Sequence, residues 1–285
     1  MSMQPSRPPE RLTVSNLLSQ LWDDERYRYA LFGFVGGALT IAALELLLNL
    51  RLGTLLSGFI PEVVGVVVTI KLIEELYNRR ETAQRKRELV RQVSSKNNRM
   101  ATNAVAELND QGWLVGDHGA LQKQDISEAD LERARFWYAN LRETRMWFTN
   151  LKFVEFWNAD LSGAELVGVD LTGAKLVGAN LKGADLSFAT LADTDWRNAN
   201  LSQVDLTGFD LTGCNLMKVD LTEAKLEEAN FSSAKLWDAR MSGADITRTN
   251  FTSADLSFAN ATGAQAQNTR FADANLRRTN FTNAS

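Results

Sequence analysis

The chain has 285 residues, a net charge of −4 and 45% hydrophobic residues, yet only one histidine and one cysteine. A single histidine, His118, leaves no His-based triad or metal cluster, and the single cysteine, Cys214, excludes an intramolecular disulfide and suits a reducing compartment. No GxxxxGK[ST] or GxGxxG phosphate loop occurs, so no catalytic, cofactor-binding or metal-ligating residue is expected and the chain is not expected to be an enzyme.

Residues 1–29 form an N-terminal segment in which Leu12, Leu17, Leu18, Leu21 and Trp22 make an amphipathic helix. It lies on a membrane surface or packs as a short helix on the two apolar runs after it. Residues 30–50 are an apolar run whose one charged residue is Glu45, and residues 54–70 are apolar around Pro61 and Glu62, ending at Lys71. A bilayer core needs about 20 apolar residues, with about 17 the lower bound. The first run meets this outright, and the second does if Lys71 snorkels. With a three-residue linker, 51–53, the pair is expected to be a transmembrane hairpin over 30–72. No small-residue cleavage site comes after the first run, which argues against a signal peptide. Arg7, Arg11, Arg26 and Arg28 precede the pair, Lys71, Arg79, Arg80, Arg85, Lys86 and Arg87 come after it, and the tip holds only Arg51. The positive-inside rule then places both termini and the rest of the chain on the cytoplasmic face of an inner membrane. Glu45 and Glu62 lie about 10 and 15 Å deep at about 1.5 Å per residue. They face a polar interior shared by several hairpins, or are protonated or hydrogen-bonded with a packing role only.

Residues 73–116 read as a basic helical linker. A charged helix starts near 71, with Leu72, Leu76, Ala83, Val90 and Val93 in a rough stripe that Arg79 and Lys86 interrupt. Its last part offers Ser and Asn N-caps and a Gly112 stop, and is expected to cap the repeats that begin near 117.

From 121 to 281 every fifth residue is apolar, giving 33 centres, none polar. Two places before each centre sits a small residue (Ala159, Ala164, Ala174, Ala179), and one place before sits a polar one (Asp160, Asp170, Asn180). Five fits neither a helix at 3.6 nor a strand at 2. Centre and small residue are spaced as in a strand and point to one side, while the other three residues turn a corner. The small residue keeps the interior from being overfilled. The stretch AELVGVDLTGAKLVGANLKGADLSFA resembles the pentapeptide repeat family, whose pattern is A(D/N)LXX, over about 160 residues. The resemblance implies a mainly β fold over 117–285: a right-handed quadrilateral β-helix with four pentapeptides per coil. Phe231, Phe251 and Phe271, Phe136 and Phe156, and Trp137 and Trp157 are each spaced by 20, as such a coil requires. Eight coils about 4.8 Å apart make a rod of roughly 40 Å.

Trp196 is an outsized centre and Phe209 replaces a small residue, so bulging is expected near 196; Ala261 and Ala266 are undersized centres, so packing is expected to be thin there. Neither departure suggests a site. Trp137, Tyr138, Trp147, Phe148, Phe153 and Trp157 fall one or two places after centres and should point outward as an aromatic patch. That patch is covered by the preceding helix or contacts a second subunit or partner. Phe271, Leu276 and Phe281 end the repeats and are candidates for pairing between copies. The expected function is a membrane-anchored scaffold for protein contacts and oligomerisation, with the bilayer, a second copy and an unidentified protein as partners. One alternative is an effector whose assembled hairpins leak ions past Glu45 and Glu62. Another, from the family resemblance, is DNA mimicry that inhibits a type II topoisomerase. The repeats carry 23 acidic against 17 basic residues from 117 onward, a modest net of −6, and nucleic acid itself is not an expected partner.

Overall fold

A computed structural model describes the backbone of residues 53–285 and the side chains from residue 67 onward. Two compact units divide between Glu81 and Thr82. Helix α1 spans Gly53–Val93 and helix α2 spans Asn98–Asp110. The apolar run 54–70 is therefore helical and continues past Lys71 without a break. The run 30–50 and Glu45 lie outside the described residues, as does the side chain of Glu62. No helix among the described residues is long and apolar enough to cross a membrane, so the expected hairpin gains no support from the structure.

The linker is two helices, not one. Asn97 caps α2, its side chain accepting the Met100 N–H at 3.0 Å, and Gly112 lies just beyond it with φ +67. Such an Asn satisfies one of the orphan donors of a helix start. Leu89 and Val93 of α1 and Ala101, Ala104, Val105 and Leu108 of α2 are buried in one cluster with Leu121, Ile126, Leu131 and Phe136. This lid also takes up main-chain groups at the open end of the first coil. Asp130 N–H donates to Ser95 O at 3.0 Å and Asn140 N–H to Leu114 O at 2.7 Å. An uncovered strand edge would pair with other chains.

Beyond the lid the chain winds as a four-sided β-helix. Parallel bridges join the residue before a centre to the one 20 places on, from Asp125–Arg145 to Asn260–Asn280 with 185–205 and 190–210 missing, so one coil holds four pentapeptides. We label the walls A to D by their first centres: Leu121, Ile126, Leu131 and Phe136. The centre's C=O accepts the N–H three residues on, as in Ala134 to Leu131 at 3.0 Å. The residue two after each centre has positive φ, from Lys123 (59°) to Asn283 (60°), whether glycine or not. That is the second central residue of a turn closed by a left-handed conformation.

Inside, every centre from Leu121 to Ala261 is buried. So is every small residue from Ala129 to Ala264 except Ala189 and Phe209. Phe136 stacks on Phe156 at 5.3 Å, and Phe251 on Phe231 and Phe271 at 5.3 and 5.6 Å. Buried threonines at small positions are satisfied, as in Thr249 Oγ1 donating to Leu226 O at 2.7 Å. The ladder is unbroken at the undersized Ala261, whose N–H reaches Asn280 O at 2.8 Å. Near Trp196 it opens, as the outsized centre suggested. In the last coil Ala266, Phe271 and Phe281 are half-buried and Leu276 is exposed.

Candidate functional site

The corners of the solenoid carry its outward chemistry, and they separate residues that the linear order groups. Trp137, Tyr138 and Trp157 lie just past wall D and share the D–A corner. Trp147 and Phe148 lie just past wall B and occupy the diagonally opposite B–C corner, while Phe153 stands on the C–D corner. The expected single aromatic patch is therefore three separate ones, because sequence neighbours are carried round the coil before they meet again 20 residues later.

None of the three is covered by residues 82–93 of α1 or by α2, whose buried faces go to the open end of the first coil. Tyr138 is 62% and Phe148 66% exposed. On the D–A corner Trp137 stacks on Trp157, centroids 5.8 Å apart and planes 17° apart. Trp137 Nε1 donates to Glu155 Oε2 at 2.9 Å. The Arg135 guanidinium lies 5.4 Å from the Trp137 ring and Lys175 Nζ 5.8 Å from that of Trp157. Burial pushes the Glu155 carboxyl up, but hydrogen bonds from Lys175 and Trp137, with the Lys175 and Arg135 charges, outweigh it and hold the group below its ordinary value.

The same corner continues upward with aromatics that do not stand out along the chain. Trp237 meets Phe258 edge-on at 6.1 Å. Lys218 Nζ sits 5.1 Å from the Trp237 ring and Arg278 5.3 Å from that of Phe258. Both obey the rule that marks the first six, one or two places after a centre. The signal is present in the sequence, and a count modulo 20 puts them in line with Trp137. Phe188, 87% exposed on the B–C corner with φ +60, is isolated along the chain in the same way.

Elsewhere on the B–C and C–D corners, Arg145 lies 4.7 Å over Trp147 and Arg133 5.3 Å over Phe153. Phe148 folds across Gly168, where a Cβ would come within 2.6 Å of its ring. Wall carboxylates are interleaved with cations one coil away. Arg145 bridges Asp125 at 3.2 Å and Glu165 at 3.0 Å, Lys175 meets Glu155 at 2.9 Å, and Lys225 meets Asp205 at 3.2 Å. A groove of about 440 Å³ between the end of α1 and the first coil is lined by Lys86, Arg87, Arg91, Gln124 and Asp125. Among the described residues no group of His, Cys, Asp and Glu side chains is placed to hold a metal ion.

Chemically, this arrangement can grip a surface. Flat aromatic faces backed by cations give contact area with little conformational freedom to lose.

A family model described as pentapeptide repeats matches in eight copies, over residues 129–166, 164–199, 179–216, 197–232, 214–252 and 254–285. No curated protein matches. Among solved structures, QnrB1, a plasmid-mediated fluoroquinolone resistance protein, is 21% identical, covering 58% of this chain and 85% of its own, with a TM-score of 0.43. HetL, a pentapeptide repeat protein involved in heterocyst differentiation regulation from the cyanobacterium Nostoc sp. strain PCC 7120, is 27% identical, covering 64% and 95%, at a TM-score of 0.21. A third, alr5209 from Nostoc PCC 7120, is 34% identical over 35% of this chain and 69% of its own, at 0.14.

Proposed function

The chain belongs to the pentapeptide repeat family, and from that premise we propose that it is a non-enzymatic scaffold whose right-handed solenoid binds another protein along the D–A corner. The observation that carries this reading is the alignment of Trp137, Tyr138, Trp157, Trp237 and Phe258 with Arg135, Lys175, Lys218 and Arg278 on one edge. Exposed aromatic and basic side chains grouped in this way are typical of contact surfaces, not of solvated ones. A photo-crosslinking residue at Tyr138 or Phe258 should capture a discrete protein from the native host. The same residue at Asn268, on the B–C corner, should not. Equal capture from both corners would overturn the assignment.

A second reading adds a membrane anchor at the cytoplasmic face of an inner membrane. It is favoured by the 21-residue apolar run 30–50. Exposure of Val67, Val68, Ile70 and Ile73 on α1 favours it too. Retention of the full chain in carbonate-washed membranes tests it, and release into buffer would end it. An ion-leak role for Glu45 and Glu62 depends on that anchor. Pairing of two copies through Phe271, Leu276 and Phe281 belongs to the scaffold proposal, and light scattering reads it. Topoisomerase inhibition by DNA mimicry is disfavoured. It needs a continuous row of uncompensated acids, whereas here Arg145, Lys175 and Lys225 interrupt the walls.

A further inference from the structure

In the body of this solenoid a full coil-to-coil interface has 12 main-chain bonds, three per wall. The interface between residues 159–178 and 179–198 has all 12, and so does the one between 199–218 and 219–238. The interface between 179–198 and 199–218 keeps only 5: Leu181 to Asn200, Gly183 to Ser202, Asn200 to Ala179, Trp196 to Asn215 and Asn198 to Met217. The survivors lie on walls A and D. Walls B and C have lost every one, and the bridges 185–205 and 190–210 are missing from an otherwise regular series.

Volume explains the loss. Trp196 is a centre on wall D and points toward wall B across the interior. Phe209 takes a wall C position filled elsewhere by Ala129, Thr149, Val169, Ala229 and Thr249. The two large rings sit in the adjacent layers on either side of this interface and overfill the space between them, and the walls part where the excess falls. Between Ala129 and Ala264, Ala189 and Phe209 are the two small-position residues that are not buried, so the seam reaches the interior. Behind it the Trp196 indole donates to Thr194 Oγ1, which donates to Leu191 O at 2.7 Å. Cys214 Sγ lies 3.8 Å from that same carbonyl.

We propose that the solenoid is hinged at this interface, with walls A and D as the pivot and walls B and C opening reversibly along a seam that ends at Cys214. Opening bends the rod about the D–A corner. Trp137 and Trp157 on one block then tilt toward Trp237 and Phe258 on the other. If that corner is the contact edge proposed above, bending closes it round the partner. The hinge is tested by reading the opening itself, whether or not the corner binds anything.

Cys214 is the only thiol in the chain and is buried, so its alkylation by a maleimide on the full-length protein reports the seam. The expected result is labelling under native conditions at a rate nearly independent of urea below the unfolding transition, with Phe209→Ala slowing it at least tenfold. Labelling that tracks global unfolding by circular dichroism, or a Phe209→Ala rate equal to or above wild type, would overturn the hinge. Hydrogen exchange gives a readout free of mutation. The Leu186, Phe188, Leu191 and Asp193 amides should exchange at least 100-fold faster than Leu206, Gly208, Leu211 and Gly213 one coil on. Equal protection would refute the proposal.

Discussion

A carboxylate or amide one place before each centre recurs because it serves the corner that comes next. Asp160 Oδ1 accepts the Ser162 N–H at 3.0 Å and its hydroxyl at 2.7 Å, and Asn200 Oδ1 accepts the Ser202 N–H at 2.9 Å. This is the local bond that makes Asp and Asn good turn residues. Asn does one thing more, since its amide also donates along the rod: Asn200 Nδ2 to Asn180 Oδ1 and Asn180 Nδ2 to Asp160 Oδ1, each at 3.0 Å. Removing both bonds by Asn200→Ala should cost about 1–2 kcal/mol in urea unfolding, and Asn200→Asp should recover the turn share. Two corner glycines separate backbone from packing. Gly168 and Gly183 have φ of 65° and 64°, but a Cβ meets the Phe148 ring only at Gly168, and at Gly183 it meets nothing within 4 Å. Gly183→Ala should cost about 1 kcal/mol for the left-handed conformation alone. Gly168→Ala should cost more, with Phe148 displaced in a crystal structure of the variant.

At the scale of elements, the lid and the coil are legible to different depths. The fivefold register survives in sequence because each unit repeats one division of labour, so the solenoid can be read from the chain alone. The start of α2 is legible too, from Asn97, and its end from Gly112. The corner on which each aromatic stands is not, because chain order places Phe148 between Trp137 and Trp157 while the coil puts it diagonally opposite. Trp196 and Phe209 are each visible as misfits. Their joint effect on walls B and C depends on volume shared across the interior, which no local pattern encodes. The lid makes its own prediction. Val105 is buried against the first coil, and Val105→Asp would bury an unpaired charge there at a cost of about 3–5 kcal/mol. Because each coil leans only on its neighbours, loss should begin at that end. Amides of 121–140 should lose protection while those of 221–240 keep it, and the freed edge should make the variant aggregate.

For the solenoid as a whole, the same corner bonds set its response to acid. The Asp125 and Asp210 carboxyls are held below their ordinary values chiefly by side-chain and main-chain hydrogen bonds from Ser127 and Thr212. Asp170 and Asp205 are pushed up by burial, but bonds from Thr172 and Thr207 and the charges of Lys152 and Lys225 outweigh it, and they too end low. A carboxylate whose pKa is lower folded than unfolded contributes stability that is complete above its unfolded value, about 3.9 for Asp. That stability is lost as pH falls through the folded one. The solenoid should therefore hold its urea midpoint from pH 7 down to about 5 and lose it progressively below about 4. Salt distinguishes the sources. Exposed ion pairs such as Lys225–Asp205 are screened, whereas a bond from the Thr212 N–H to Asp210, with no cation beside it, is not. The acid loss should persist nearly unchanged in 0.5 M salt, roughly a Debye length of 4 Å. A loss that 0.5 M salt abolished would mean that the ion-pair rows, not the turn bonds, hold the coils against acid.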